Sequence, residues 1–277
     1  MRIAILTPLD GYYVEWETHA AGYRRLFGDA LELRTWADPR DLSGFDVIMP
    51  LLAWGYQREP ARWYALLDRW EGLPFANALQ TLRWNTDKAY LLDMETKGVG
   101  IVPTRLAPTL GSDDMNAARD AFRCETLVVK PTISGGAEGT YRLGPRDPIP
   151  VDVLGAEMLI QPMMPSIAEE GEYSLFHFGG CFSHAILKRP AAGDFRVQEQ
   201  FGGKEAMVEP PATALALAQV ALAAAPAPPL YARTDMVRAA DGGFRLMELE
   251  LIEPALFLDH ASDAGAMFAD AVRGWTG

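Results

Sequence analysis

The segment Leu230 to Ile252 constrains the fold of this chain more than any other. Two runs of strand-forming residues, Leu230 to Arg238 and Phe244 to Ile252, flank Asp241-Gly242-Gly243, and a glycine-containing break between such runs reads as an antiparallel hairpin. Side chains of a strand alternate between faces, which puts Glu248 and Glu250 on one face and Met247, Leu249 and Leu251 on the other. A turn centred on Asp241-Gly242 sets Asp235 opposite Glu248 and Arg233 opposite Glu250; a turn displaced by one residue sets Asp235 opposite Glu250. Either way the carboxylates of Asp235, Glu248 and Glu250 converge. Like charges opposed in a sheet repel, so the cluster requires protonation, basic partners or a hard cation. Oxygen donors suit Mg²⁺, which is typically held by one or two carboxylates together with substrate phosphates. A solvated acidic sheet face is the alternative.

The rest of the chain supplies a scaffold. Arg2 to Thr7, Leu31 to Trp36 and Phe45 to Leu52 read as strands, and Val14 to Phe27 between the first two reads as a helix, so the N-terminal part is a parallel α/β lobe. The run Ile3-Ala4-Ile5-Leu6 has only Arg2 before it and no small-residue cleavage site behind it, so it reads as a strand and not a signal peptide. Pro60 to Trp70 carries apolar residues at helical spacing and ends at Gly72 and Pro74. Asn85 to Lys97 is a predicted helix, with Asn85 or Thr86 as its cap and Gly98 as its stop. Ile101 to Arg105, Leu127 to Lys130, Thr140 to Leu143 and Met158 to Gln161 form a small β-rich lobe. A second hairpin pairs Glu172 to Phe178 with Cys181 to Lys188 around Gly179-Gly180, and an alanine-rich helix occupies residues 212 to 225.

Composition narrows the partners. With 25 basic against 37 acidic residues the net charge is -12, which disfavours nucleic acid or an anionic membrane as the main partner, so an anionic ligand needs a local cluster of cations. No apolar run reaches the roughly 18 to 20 residues of a bilayer span. Cys124 and Cys181 make no disulfide framework and read as buried small hydrophobes, and a reducing cytoplasm is the expected compartment.

Val129-Lys130-Pro131 runs into Ser134-Gly135-Gly136-Ala137-Glu138-Gly139-Thr140, a strand ending in Lys followed by a loop whose backbone N–H groups can wrap phosphate oxygens; an ordinary turn is the alternative. The loop lacks GxxxxGK[ST] and leads into a strand, so it is no Walker loop, and GxSxG, HExxH, CxxC and GxGxxG are absent. His19, His177, His184 and His260 have no metal spacing, and the two on the hairpin read as packed or surface residues. Lys88, Lys188-Arg189, Arg196 and Arg233 each read alone as surface charges. Together with strand ends, a glycine-rich loop and a carboxylate cluster they resemble a site for MgATP.

The order Asn85-Thr86-Asp87-Lys88, Val129-Lys130-Pro131 with its loop, Leu159-Ile160-Gln161-Pro162, Lys188-Arg189 to Asp194-Phe195-Arg196, Arg233-Thr234-Asp235 and Glu248-Leu249-Glu250 resembles the ATP-grasp superfamily, in the group that shares the ATP-binding fold of glutathione synthetase. Trp54-Gly55-Tyr56, Trp84-Asn85-Thr86-Asp87-Lys88, Gly171-Glu172-Tyr173-Ser174, the run from Ser183 to Pro190 and the run from Glu248 to Pro254 resemble the D-cycloserine-forming cyclo-ligases and their relatives. The fold so implied is α/β with α+β character: an N-terminal Rossmann-like pre-ATP-grasp lobe over residues 1–84, then an ATP-grasp domain over 85–277 whose small flap-bearing lobe spans about 126–163.

The resemblance also implies roles. Lys88 and Lys130 hold the nucleotide phosphates, Ser134, Gly135 and Gly136 belong to the flap, Gln161, Pro162 and Met163 form the hinge that meets adenine, and Glu169 or Glu170 lies near the ribose. Lys188, Arg196 and Arg233 are the catalytic cations, and Asp235, Glu248 and Glu250 hold Mg²⁺. Many relatives have Asn where this chain has Glu250. Substrate contacts are expected from Asp10, Tyr13, Trp54, Tyr56 and Arg58, which follow strand ends of the first lobe; interlobe packing is the alternative for the aromatic pair. The reaction implied is ADP-forming ligation of a carboxylate and an amine through an acyl phosphate on a small amino-acid-like molecule. Its cyclo-ligase form joins two groups of one molecule. An ATP-binding regulatory or scaffold module without turnover is the second hypothesis, and an α/β protein that binds sugar or peptide without nucleotide is the third. Oligomeric state, including a homo-oligomer, stays open.

Overall fold

Strand β1 (Ile3–Thr7) is buried along its whole length, because its alternate side chains feed two different cores. Ile3 and Ile5 pack against Ala20, Tyr23 and Phe27 of α1 (Trp16–Phe27), while Ala4 and Leu6 pack against Trp36, Trp63 and Trp70. The computed structural model of the chain describes residues 1–9, 11–12, 16–197 and 199–275. β1 is the centre of a parallel sheet ordered β2-β1-β3, with β2 (Leu31–Thr35) and β3 (Val47–Met49) as neighbours. The expected strand over Phe45 to Leu52 shrinks to β3, its flanks turning into loops. Helices α2 (Pro60–Arg69) and α3 (Leu79–Thr86) complete this lobe.

The predicted helix from Asn85 to Lys97 is two helices. Asn85 and Thr86 are the last residues of α3, and α4 (Tyr90–Thr96) starts afresh after Asp87, whose Oδ1 accepts the Ala89 N–H at 2.8 Å. Tertiary contacts decide the break: the Thr86 hydroxyl donates to the Leu82 carbonyl and accepts from Trp63 Nε1, and the Asn85 amide bonds the chain beyond Glu248. Ile101 makes one isolated bridge to Leu246, and β4 begins only at Arg105.

A four-stranded antiparallel sheet ordered β4-β7-β5-β6 forms the small lobe, from β4 (Arg105–Ala107), β5 (Leu127–Pro131), β6 (Tyr141–Leu143) and β7 (Met158–Pro162). Its apolar face is covered by α5 (Ser112–Phe122) through Met115 and Ala118. After the short α6 (Ser166–Glu169) comes a five-stranded antiparallel sheet ordered β10-β9-β8-β11-β12. Its strands are β8 (Glu172–Phe178), β9 (Cys181–Arg189), β10 (Lys204–Met207), β11 (Tyr231–Arg238) and β12 (Phe244–Glu250). Helix α7 (Ala212–Ala223) lies on one face, its Ala214 and Ala218 against Tyr173, Leu175 and Met236; α8 (Ala266–Arg273) joins α1 through Phe268.

The pairs Arg233 with Glu250 and Asp235 with Glu248 form as the centred turn requires, but by an unexpected route. Near the turn Arg238 pairs Phe244, one residue out of that register, and a bulge between Met236–Leu246 and Asp235–Glu248 restores it. Met247 is the extra residue. It therefore packs with Val102, Ile167, Val197 and Val237 and does not share a core with Leu249 and Leu251. Cys181 is exposed and Cys124 half-buried, so neither is the buried hydrophobe expected. Among the described residues, no helix is long and apolar enough to cross a membrane.

Candidate active site

Three adjacent strands of the five-stranded sheet carry polar residues at every second position of one stretch: Glu172 and Ser174 on β8, Arg233 and Asp235 on β11, Glu248 and Glu250 on β12. Strand alternation puts each pair on one face, and the register places Ser174 beside Asp235 and Asp235 beside Glu248. Lys188 of β9 extends the row opposite Glu172. All of these but the fully buried Ser174 line a cavity of about 420 Å³, whose other walls come from Lys130 and Gln161 of the small lobe and from Trp54 and Tyr56 of the first lobe.

The polar row is internally paired. Arg233 Nη2 lies 2.8 Å from Asp235 Oδ2 and also bonds Glu250. Lys188 Nζ is 3.4 Å from Glu172 Oε1 and 3.7 Å from Asp235 Oδ1, and the Ser174 hydroxyl donates to Asp235. Lys88 Nζ reaches Glu248 Oε1 at 3.2 Å and donates to the Ser134 carbonyl of the flap. Lys130 Nζ lies 3.5 Å from the Met247 carbonyl, an acceptor that the bulge presents. Gly171 belongs to this packing: its φ is +121°, and a Cβ there would stand 2.6 Å from the Lys188 carbonyl.

Charge balance differs from one carboxylate to the next. For Asp235, burial opposes ionisation but Arg233 and Lys188 outweigh it, bringing the carboxyl down to about 2. Glu248 is also buried, and Lys88 and Lys130 likewise hold it below the usual carboxylate range. Glu250 is pushed up to about 8 by burial, with Asp235 and Glu248 repelling its charge and Arg233 shared with Asp235. Burial lowers Lys130, and the neighbouring Lys88 adds to the effect. The site holds more carboxylate than its own cations neutralise.

Those facts bear on the metal. Among the described residues no three His, Cys, Asp or Glu side chains stand as a ready ligand set, since Arg233 and Lys88 occupy the carboxylates. The donor chemistry nevertheless fits a hard divalent ion: oxygen donors only, adjacent on two paired strands, with one raised carboxyl that a nearby dication would ionise.

Of the residues singled out in the sequence, Lys88, Lys130, Ser134, Gly135, Gly136, Gln161, Pro162, Lys188, Arg196, Arg233, Asp235, Glu248, Glu250, Trp54 and Tyr56 all line the cavity. Arg196 is aimed by Asp194, with Nη2 2.8 Å from Oδ2, and its guanidinium lies 3.6 Å above the Phe201 ring. Others go elsewhere. Met163 is not a cavity residue, and its N–H donates to the Thr126 carbonyl. Glu169 is exposed at the end of α6, and Glu170 is held by Arg238 at 2.7 Å and by the Tyr173 hydroxyl, both outside the cavity. Arg58, although Tyr56 and Gln57 beside it line the cavity, is not itself a lining residue and reaches across to Glu138 of the flap at 3.3 Å. Asp10 and Tyr13 lie outside the described residues.

Sequence reasoning gave no separate role to Glu172, Asn85 or Glu253, which also line the cavity. Glu172 was discoverable as the i−2 partner of Ser174 on a strand facing Asp235; Glu253, beyond the end of β12, has no periodic signal.

A glycine loop over a cavity that sets lysines against carboxylates, between two antiparallel sheets, is the arrangement expected of a nucleotide-clasping ligase. Solved structures share the architecture: a D-alanine–D-alanine ligase from Bacillus anthracis has a TM-score of 0.68 at 20% identity over 100% of this chain and 97% of its own, and the RimK domain ATP-grasp protein from Sphaerobacter thermophilus has 0.68 at 20% over 99% and 100%. The D-cycloserine synthetase DcsG superimposes with a TM-score of 0.81 at 27% identity over 98% of both chains. The cycloserine biosynthesis protein DcsG of Streptomyces lavendulae is 30% identical over 271 residues, 90% of this chain and 89% of that protein. No protein-family model matches the chain. The chain belongs to the DcsG family of ATP-grasp ligases and is an ATP-dependent ligase.

Proposed function

We propose that the enzyme closes a ring within one amino-acid-like molecule, forming a cycloserine-type product through an acyl phosphate. The observation that carries this reading is the paired row of Lys88, Lys130, Lys188 and Arg233 against Asp235, Glu248 and Glu250, roofed by the loop from Ser134 to Thr140. Phosphoryl transfer needs positioning and charge neutralisation and no nucleophilic side chain. In the first step an oxygen of the substrate carboxylate attacks the γ-phosphorus of ATP, the bond to the β,γ-bridging oxygen breaks, and ADP leaves. In the second a nitrogen of the same molecule attacks the acyl carbon, loses its proton, and expels phosphate carrying the former carboxylate oxygen; where that nitrogen belongs to a ureido group, water then removes the carbamoyl group it carries as carbon dioxide and ammonia.

In this reading Lys88 and Lys130 hold the phosphates, and Arg196 and Lys188 meet the transferred phosphoryl group. The apolar cluster of Val102, Ile167, Met164 and Met247 suits the adenine, beside Gln161 and Pro162. Asp235, Glu248 and Glu250 are the residues that would hold Mg²⁺, which neutralises phosphate charge when bound. Flap closure excludes the water that would hydrolyse an acyl phosphate. Incubation with substrate labelled with ¹⁸O in its carboxylate tests the pathway: one labelled oxygen appears in phosphate. Phosphate free of label removes the acyl-phosphate step.

A further inference from the structure

Each carboxyl group of the cavity wall has a basic partner except one. Glu172 has Lys188, Asp235 has Arg233 and Lys188, Glu248 has Lys88, Glu250 has Arg233, and Glu205 has His260 Nε2 at 3.4 Å. Among the described residues, Glu253 alone of the cavity carboxylates has no Lys, Arg or His nitrogen within 4.0 Å, although it is partly buried. The Tyr56 side chain and the carboxyl groups of Glu248 and Glu250 lie close to it. A carboxylate withdrawn from water among like charges is costly unless a cation arrives to meet it.

The backbone that carries Glu253 is fixed in place. The Glu253 carbonyl accepts the Trp54 indole N–H at 3.1 Å, the Ile252 carbonyl accepts the Tyr231 hydroxyl at 2.9 Å, and Asn77 donates to the Leu251 carbonyl at 2.8 Å. Asn85 bonds the Leu249 carbonyl and the Leu251 N–H. A side chain so held is a preorganised anchor. The rings of Trp54, Tyr56 and Phe257 line the same cavity, and His19 packs edge-on to Trp54 with centroids 5.3 Å apart. Aromatic faces beside an unpaired carboxylate suit a compact organic cation.

We infer that Glu253, framed by Trp54 and Tyr56, is the anchor for the ammonium group of the substrate, so that the enzyme selects an amino acid over an otherwise identical acid lacking the amine. This rests on the ligase reading above and adds to it the group by which the substrate is recognised. Glu253 makes its contact with a part of the substrate that does not react. It orients the molecule while the neighbouring cations handle the phosphoryl group, and the ammonium it holds offsets negative charge of the wall.

The test compares wild type with Glu253→Gln, both saturated with MgAMPPNP, titrated with O-ureido-D-serine and with its counterpart lacking the α-amino group; ADP release from MgATP is followed in parallel. Wild type is expected to bind the amine at least ~30-fold more tightly, and Glu253→Gln to bind both alike, the loss falling in KM more than in kcat. Glu253→Gln should keep its thermal shift with MgATP, which a merely structural role would not preserve. A variant that retains the wild-type preference, or loses MgATP binding, overturns the anchor. Wild type that converts the amine to ADP and product while showing no preference overturns the anchor alone, whereas wild type that neither binds nor converts it overturns the cyclo-ligase reading and the anchor together.

Discussion

The floor and the roof of the cavity are built from different materials. On the floor, Arg233, Asp235 and Lys188 are less than a tenth exposed, and their bonds lie inside a sheet that α7 backs. The roof is the glycine loop after β5, joined to the first lobe by Arg58 and Glu138, whose side chains are 43% and 53% exposed, and to the rest of the chain by Lys88 to the Ser134 carbonyl and by Gln200 Nε2 to the Gly136 carbonyl at 3.3 Å. A buried, cross-braced charge row keeps its geometry through a turnover cycle, whereas a loop joined by exposed pairs opens at small cost. Chemistry belongs to the first and access to the second, so substitutions in the two regions should fail differently.

The sharpest contrast comes from Asp235→Asn. It leaves the shape of the floor but removes the charge that Arg233 and Lys188 share, and turnover is expected to fall by about 10³-fold or more while the variant still unfolds cooperatively. ADP release and thermal unfolding read the two halves of that expectation. Full activity in Asp235→Asn would remove this residue from the phosphate and metal machinery.

Next in size is Asn85→Leu. It deprives the Leu249 carbonyl and the Leu251 N–H of their partner in a buried place, and a loss of about 3 kcal/mol is expected in denaturant unfolding. If the loss is instead negligible, the rigid mounting of the floor is wrong.

Floor stability should also depend on pH. His184 stacks on Phe176 with centroids 4.3 Å apart; its Nε2–H donates to the Leu256 carbonyl, and its Nδ1 accepts the Ser183 hydroxyl. Burial brings His177 and His184 down to about 4 from an ordinary 6.5, so both are neutral when folded. The unfolded chain binds more protons between those values. Stability is therefore whole above pH 6.5 and falls as pH drops toward 4, by up to about 3 kcal/mol per histidine. Unfolding titrations at pH 7 and pH 5 read the difference, and equal midpoints would contradict the packing of the two rings.

The smallest effect belongs to the roof. Arg58→Ala loses an exposed ion pair worth less than about 1 kcal/mol, so KM for ATP should rise only a few-fold, with kcat and melting temperature nearly unchanged. A drop comparable to that of Asp235→Asn would mean that Arg58 belongs to the chemistry.

The floor was far more legible in the sequence than the roof. Alternation and a glycine turn are local properties, and they were enough to bring Asp235, Glu248 and Glu250 together, while the choice between Arg233 and Asp235 as the residue opposite Glu250 stayed open between two turn positions. The bulge at Met247 was hidden, since an extra residue in a strand leaves hydrophobic periodicity almost intact while changing which core a side chain enters. The break between α3 and α4 was hidden for another reason: Asn85 and Thr86 suit a helix cap, but their side chains are claimed by Leu249, Leu251 and Trp63 from distant parts of the chain. Arg58 and Glu170 show the same limit at the site itself. Their partners, Glu138 and Arg238, lie 80 and 68 positions away, and no local pattern announces a long-range ion pair.

The most direct measurement is mass-spectrometric detection of ADP and product after the enzyme meets MgATP with O-ureido-D-serine, its L-enantiomer and pooled amino acids, with Asp235→Asn as control. The expected result is one ADP released for each cycloserine ring closed by wild type, and neither from Asp235→Asn. A ring closed without ADP, or ADP and product formed equally by Asp235→Asn, would contradict a ligase that works through the buried charge row.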